Sequence, residues 1–182
     1  GGGLTAGNIV PVDDYLRSVV PEEMPGDWPA EAIKAQSVAA RSFALASRGR
    51  HASEGYALCT TTPCQLYTGS AAEKSASNAA IKATRGEVLT YGGKPIEALF
   101  HTDSGGMTEN SEDVWGSHVP YLRAAKDTPT KTMPWTKTIS RADLERKLAA
   151  KGHDIGKVRS IALSPLAIGR AAKDRTASGR VK

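Results

Sequence analysis

Aromatic residues make up only 5% of this 182-residue chain, so Ala, Leu, Val and Ile must supply most of any core. Cysteine is scarcer still: two residues, Cys59 and Cys64, exclude a disulfide-dense scaffold. No apolar run reaches membrane-spanning length, and no signal peptide is recognisable. A P-loop, a dinucleotide fingerprint and a His-Glu-x-x-His pair are also missing, which removes common routes to nucleotide, NAD and zinc-protease chemistry. The leading Gly1, Gly2 and Gly3 set residues 1–8 apart as a flexible leader or expression remnant, a reading compatible with an export signal cut away.

What is present fits a folded chain. Apolar content of 40% and charged content of 24% suit one domain over 9–182, with room for a sub-lobe. The net charge of +5 and pI of about 9.3 favour anionic partners such as nucleic acid, anionic lipid or acidic wall polymers. The lysines and arginines are dispersed along the chain, so nucleic acid is not an expected partner.

Hydrophobic periodicity predicts a first helix from Val12 to Val20, with Asp13 and Asp14 at its start and Pro21 ending it. A second, alanine-rich helix is expected from about Pro29 to Arg48, stopped by Gly49. Between them lies Pro21-Glu22-Glu23-Met24-Pro25. A glutamate wedged at a helix junction beside Met and Pro is a candidate for a desolvated carboxyl with a raised pKa, able to donate a proton near neutral pH. A solvated turn residue is the plain alternative for Glu23. Arg41, mid-helix among alanines, reads either as part of a solvated face or as pointing into a cleft shared with Glu23.

Residues 49–68 read as loop. For Cys59 and Cys64 three readings stand: a small-loop disulfide, half of a metal site needing two more ligands, or two thiols. His51 is the nearest histidine in sequence. Ser70-x-x-Glu73 resembles a capping box opening a helix from Ala71 to Arg85, closed by Gly86. Strands are expected over 87–91 and 94–100 around a Gly92-Gly93 turn. They lead into His101-Thr102-Asp103-Ser104-Gly105-Gly106, a tight turn with exposed amides. Further on, Ser140-x-x-Asp143 caps a helix to Ala150 and 158–163 reads as a strand. Ser104, His101 and Asp103 are too close in sequence for a catalytic triad, and no nucleophile elbow surrounds Ser104. A two-carboxylate glycosidase would pair Glu23 with Glu109 or Glu112.

Together these segments resemble the SpoIID/LytB family of sporulation proteins and amidase enhancers. Tyr15 through Pro25 resembles its opening motif, Trp28 through Ala44 its signature helix, and Cys59 through Tyr67 its Cys-x-x-x-x-Cys-Gln-x-Tyr segment. Phe100 through Gly106 resembles its His-to-Gly-Gly loop, and Glu109, Glu112, Val114-Trp115-Gly116 and Pro120-Tyr121-Leu122 continue in order. The resemblance covers roughly residues 12–127, and the family domain usually runs beyond a segment like Ser178-Gly179-Arg180-Val181, so a truncated C-terminus is expected.

The resemblance implies an α+β fold, with Ala-rich helices packed on an antiparallel sheet and two lobes flanking a cleft. It implies a secreted or membrane-anchored protein at the cell wall. The implied activity is lytic transglycosylase cleavage of peptidoglycan glycan, preferably stripped of stem peptides, to 1,6-anhydro-muramic ends, with Glu23 as the single acid/base. Arg41, Gln65, Tyr67, His101, Ser104, Gly105 and Glu109 fall at positions expected around the cleft. The alternative is a non-catalytic enhancer module that holds glycan or a wall amidase. Some sporulation members bind zinc through these two cysteines plus histidines, one directly before the second cysteine. Pro63 stands in that place, so no metal or other cofactor is expected, and the cysteines are left as a disulfide or free thiols.

Overall fold

A computed structural model describes residues 6–104, 106–127, 136–161, 163–165 and 179–181. The chain forms two compact units, Gly1–His101 and Thr102–Lys182.

The first unit is built from helix on helix. Helices α1 (Val12–Glu23), α2 (Ala30–Ser47) and α3 (Ser75–Ala83) pack through Leu16, Val19 and Val20, Ile33 and Ala40, and Ala80 and Ile81. Leu16, Val19 and Val20 recur at helical spacing and lie on one stripe of α1. Burying each large aliphatic side chain is worth about 1.5–3 kcal/mol. Where the helices meet, small residues (Ser37, Ala40, Ser77 and Ala80) are buried, which lets the backbones approach closely.

Pro21 does not end α1, contrary to the sequence expectation: the helix runs through it to Glu23, and the Met24 amide still donates to the Val20 carbonyl at 3.0 Å. A proline in the final turn forfeits one backbone bond, the one its missing N–H would make to the Arg17 carbonyl. The burial of Val19 and Val20 outweighs it. Glu23 is therefore the last residue of a helix rather than part of a loop.

The capping box at Ser70 also does not form. Ser70–Ala72 is a single 3-10 turn without a side-chain cap, and α3 starts only at Ser75. The reason lies just upstream. The amides of Thr68 and Gly69 both donate to Ser18 Oγ on α1, at 3.0 and 2.9 Å. The chain is held along α1 until Gly69, at φ 87, turns it away.

The expected antiparallel sheet shrinks to β1 (Thr90–Tyr91) and β2 (Lys94–Pro95), paired Thr90↔Pro95 and Tyr91↔Lys94. Gly92 and Gly93 both have positive φ, as a type I′ hairpin requires. Pro95 has no N–H to extend the ladder, and one further bond, from the Ile96 amide to Leu89, closes it. The helices of this unit thus pack on one another, with the hairpin tied on by the Leu89 amide donating to Ser42 Oγ at 2.8 Å.

In the second unit, the Met107↔Lys126 bridge and the bonds Thr108 N to Ala125 O and Asp127 N to Gly106 O lay 106–110 against 122–127. Helix α4 (Ser111–Trp115) follows. Its buried Ser111 accepts from the Val119 amide and from Arg123, and donates to the Ser117 carbonyl. Arg123 also grips Glu112 with both terminal nitrogens. Those hydrogen bonds hold the Glu112 carboxyl down to about 2. The pair stabilises the folded unit above the ordinary glutamate pKa, and that contribution is lost as pH falls from there toward 2. Glu112→Gln should lower the unfolding midpoint near neutral pH. In acid titrations the gap to wild type should narrow as pH falls below the ordinary glutamate range and close near the lowered pKa of about 2; a gap that stays constant would remove the ion pair from the account. Helix α5 (Arg141–Ala149) is capped as its sequence predicts, Ser140 Oγ accepting from the Asp143 amide at 3.1 Å. Strands β3 (Leu163–Pro165) and β4 (Gly179–Val181) pair antiparallel, so β3 begins where the strand expected over 158–163 was to end.

Candidate active site around Glu23

Glu23 sits at the C-terminal end of α1, where the helix dipole is negative and disfavours a second negative charge. Its carboxyl is raised above the ordinary glutamate value, first by loss of hydration and then by the neighbouring Glu22 charge. The residue is exposed on one side, so the loss of hydration is partial. Among the described residues it has no hydrogen-bond donor and no cationic partner to stabilise its ionised form. Met24, half-buried against the core, fixes the end of the helix that carries it.

Residues 65–69 run beside α1 toward Glu23 and are stitched to one face of it at Tyr15, Ser18 and Glu22. Tyr15 stacks on Tyr67, with ring centroids 5.3 Å apart and planes at 11°. The Tyr15 hydroxyl donates to Gln65 Oε1 at 3.3 Å. Ser18 takes the Thr68 and Gly69 amides, and Thr68 Oγ1 donates to Glu22 Oε1 at 2.7 Å. Glu22 is exposed to solvent, yet it also closes this seam. The seam sets half-buried Tyr67 along the same helix as Glu23, offering a ring face and a hydroxyl of the kind that sugars stack on and bond to.

Two residues expected to line a ligand site serve the scaffold. Arg41 is 1% exposed, and its guanidinium donates to Asp13 Oδ1 (3.0 Å), the Ile81 carbonyl (3.2 Å), the Glu87 carbonyl (3.1 Å) and Thr84 Oγ1 (3.5 Å). It joins α1, α2 and α3 and does not bond to Glu23. Gln65 is 4% exposed, with its oxygen taken by Tyr15 and its nitrogen by the Ala40 carbonyl at 3.3 Å. Both amide ends are engaged within the scaffold.

His101 is exposed at the end of the first unit. Ser104 and Glu109 belong to the second, where Ser104 Oγ donates to Asp127 Oδ2 at 2.6 Å and accepts the Gly106 amide at 3.1 Å. Ser104 thus holds a turn. Glu109 is half-buried between Thr108 and Asn110, whose side chains take the amides of Ala125 and Ala124. Gly105 lies outside the described residues.

Cys59 and Cys64 are joined as a disulfide with Cα atoms 5.6 Å apart, inside the usual range. It closes the loop immediately before Gln65. His51 Nε2 lies 3.3 Å from Cys64 Sγ, and Glu54 engages His51 Nδ1, the carboxylate–histidine arrangement common behind metal ligands. His51, Cys59 and Cys64 place their donor atoms within 4.8 Å of one another. A structural zinc takes four ligands, with its cysteines as separate thiolates. Among the described residues there are three donors, Pro63 stands where a fourth would come, and the two sulfurs are bonded to each other. The set does not fit that ion.

Sequence reasoning missed Tyr15 and Ser18 as parts of the site. The signal was available in their spacing with Glu22, which puts all three on one helix face.

Among the described residues no helix is long and apolar enough to cross a membrane. The family model for the stage II sporulation protein SpoIID matches residues 1–91. An amidase enhancer from Bacillus subtilis (strain 168) is 42% identical over 132 residues, covering 72% of this chain and 18% of that protein. A stage II sporulation protein D from the same organism is 34% identical over 160 residues, covering 78% of this chain and 47% of its own length. Its counterpart from Bacillus amyloliquefaciens is 36% identical over 163 residues, covering 78% and 46%. The chain spans less than half the length of these curated relatives. Matches of this extent show that the chain belongs to the SpoIID family.

Proposed function

We propose that this chain acts at the bacterial cell wall, outside the cytoplasmic membrane, as a lytic transglycosylase on peptidoglycan glycan, with Glu23 as its only acid/base. The observation that carries the proposal is a carboxyl raised by lost hydration and by Glu22, with no cation among the described residues to hold it ionised, on the helix that also stacks Tyr67. Glycan strands stripped of stem peptides are the favoured substrate, because Glu22 and Glu23 put negative charge beside the seam, which disfavours peptide carboxylates.

The chemistry needs one group used twice. Protonated Glu23 gives its proton to the glycosidic oxygen as the bond from that oxygen to the muramic C1 breaks. The resulting carboxylate takes the proton of the same sugar's 6-hydroxyl as O6 bonds to C1. Glu23 ends protonated, no water is consumed, and the products are a free hydroxyl end and a 1,6-anhydro end.

A resting protonated glutamate makes the rate fall as pH rises through its raised pKa. Glu22→Gln removes a like charge, lowers that pKa and should move the alkaline limb of the pH–rate profile to lower pH while leaving the plateau. A limb that stays in place would remove Glu22 as a tuning charge.

The enhancer reading is favoured by one observation, the name of the 42% identical relative. Under it the chain holds glycan or a wall amidase without cutting. Borohydride labelling of soluble products from the protein alone and with an amidase separates the readings. A transglycosylase releases glycan with no reducible end, a hydrolase releases reducible ends, and an enhancer releases fragments only when the amidase is present.

A further inference from the structure

We infer that Tyr15 is the positioning residue that holds the ring of Tyr67 in place along the helix that ends in Glu23. The inference rests on the reading of Glu23 and Tyr67 as parts of a glycan site.

Three contacts meet at this side chain or at the ring it supports. The Tyr15 ring covers one face of Tyr67 at 5.3 Å and 11°, so a sugar can stack only on the other face. The Tyr15 hydroxyl takes Gln65 Oε1, and Gln65 Nε2 takes the Ala40 carbonyl on α2, which pins the backbone two residues before Tyr67. Asn8 Nδ2 donates to the Tyr67 hydroxyl at 2.9 Å and holds the far end of the ring. Burial first, then the Tyr67 and Glu23 charges, push the Tyr15 hydroxyl up to about 12, so it remains a donor to Gln65 at any pH the site meets.

The other two stitches on this face of α1 act elsewhere. Ser18 holds the amides of Thr68 and Gly69, and Glu22 holds the Thr68 hydroxyl. Only Tyr15 touches the Tyr67 ring among them. Removing its ring leaves the chain anchored at Thr68 and Gly69 while Tyr67 regains rotamer freedom. Tyr15 lies eight positions before Glu23, about 12 Å along the helix at 1.5 Å per residue, a span suited to a ring that orients one sugar while the acid serves the next bond.

The test uses a soluble glycan oligomer stripped of stem peptides. Its dissociation constant is measured on Glu23→Gln protein, which binds without turnover, and its KM and kcat on protein carrying Glu23. Tyr15→Leu should weaken binding and raise KM by about five- to tenfold, the value of a lost aromatic stack, with kcat nearly unchanged. Tyr15→Phe, which keeps the stack, should restore most of the binding. Tyr15→Leu added to Tyr67→Leu should cost nothing further. A purely structural role would lower kcat through the active fraction and leave KM alone. If Tyr15→Leu binds as wild type does while Tyr67→Leu loses affinity, the inference is overturned and the glycan reading survives. If wild type itself neither binds nor cleaves the oligomer, that reading fails and the Tyr15 inference falls with it.

Discussion

Glu23→Gln should lower release of anhydro-muramic fragments by about a thousandfold or more while the protein stays folded. Two losses combine in that figure, because the same carboxyl serves as acid in the first half of the reaction and as base in the second. The amide can neither give the proton nor take it back. The fold should not suffer, since Glu23 is exposed and bonded to nothing among the described residues. Its removal even relieves repulsion from Glu22 and from the negative end of α1, so stability should change by less than about 0.5 kcal/mol. Parallel thermal melts and product assays check both halves. A variant that folds and keeps wild-type release would take the chemistry away from Glu23.

Arg41→Ala should have the opposite signature: a large loss of stability, with activity failing only because the first unit unfolds. Arg41 is buried and joins Asp13, Thr84 and the carbonyls of Ile81 and Glu87, so truncation unbonds two carbonyls and leaves the partly buried Asp13 only the long, exposed pair with Arg85 at 3.8 Å. Breaking such a pair from one side costs about 3 kcal/mol, the low end of the usual range because Asp13 keeps 27% of its side chain in water. In a unit of this size that lowers the melting midpoint by roughly 10–20 °C. Arg41→Lys should recover only part of the loss, since an ammonium lacks the planar fork that serves four acceptors. Below the lowered midpoint, the Arg41→Ala protein should bind glycan normally. A normal midpoint with lost binding would instead return Arg41 to the ligand site.

These two residues mark what the chain discloses before it is folded. Helices α1 and α2 were legible from the spacing of Leu16, Val19 and Val20 and from the alanine run, because burial of one face dominates their energetics. The raised carboxyl of Glu23 was legible because Met24 and Pro25 mark a junction where a carboxyl loses water. Arg41 was read as a ligand residue because half its partners are backbone carbonyls, which carry no side-chain signature. Pro21 misled because its local cost is visible in sequence and the packing that offsets it is not. The capping box at Ser70 failed for a similar reason: Ser18, fifty residues earlier in the chain, claims the amides just before it. The strands were overdrawn because alternation continues past Pro95, although the ladder does not. Tyr15 and Ser18 needed the helix face and residues 65–69 to be seen together, which a motif scan treats as separate segments.

The most direct measurement of the central claim is mass spectrometry of soluble products from wild type and Glu23→Gln, each incubated with denuded and with peptide-bearing peptidoglycan. Anhydro-muramic products from wild type alone, more abundant on the denuded glycan, are the expected result. Equal release by both proteins, or glycan binding by both with no release from either, would contradict a transglycosylase built on Glu23.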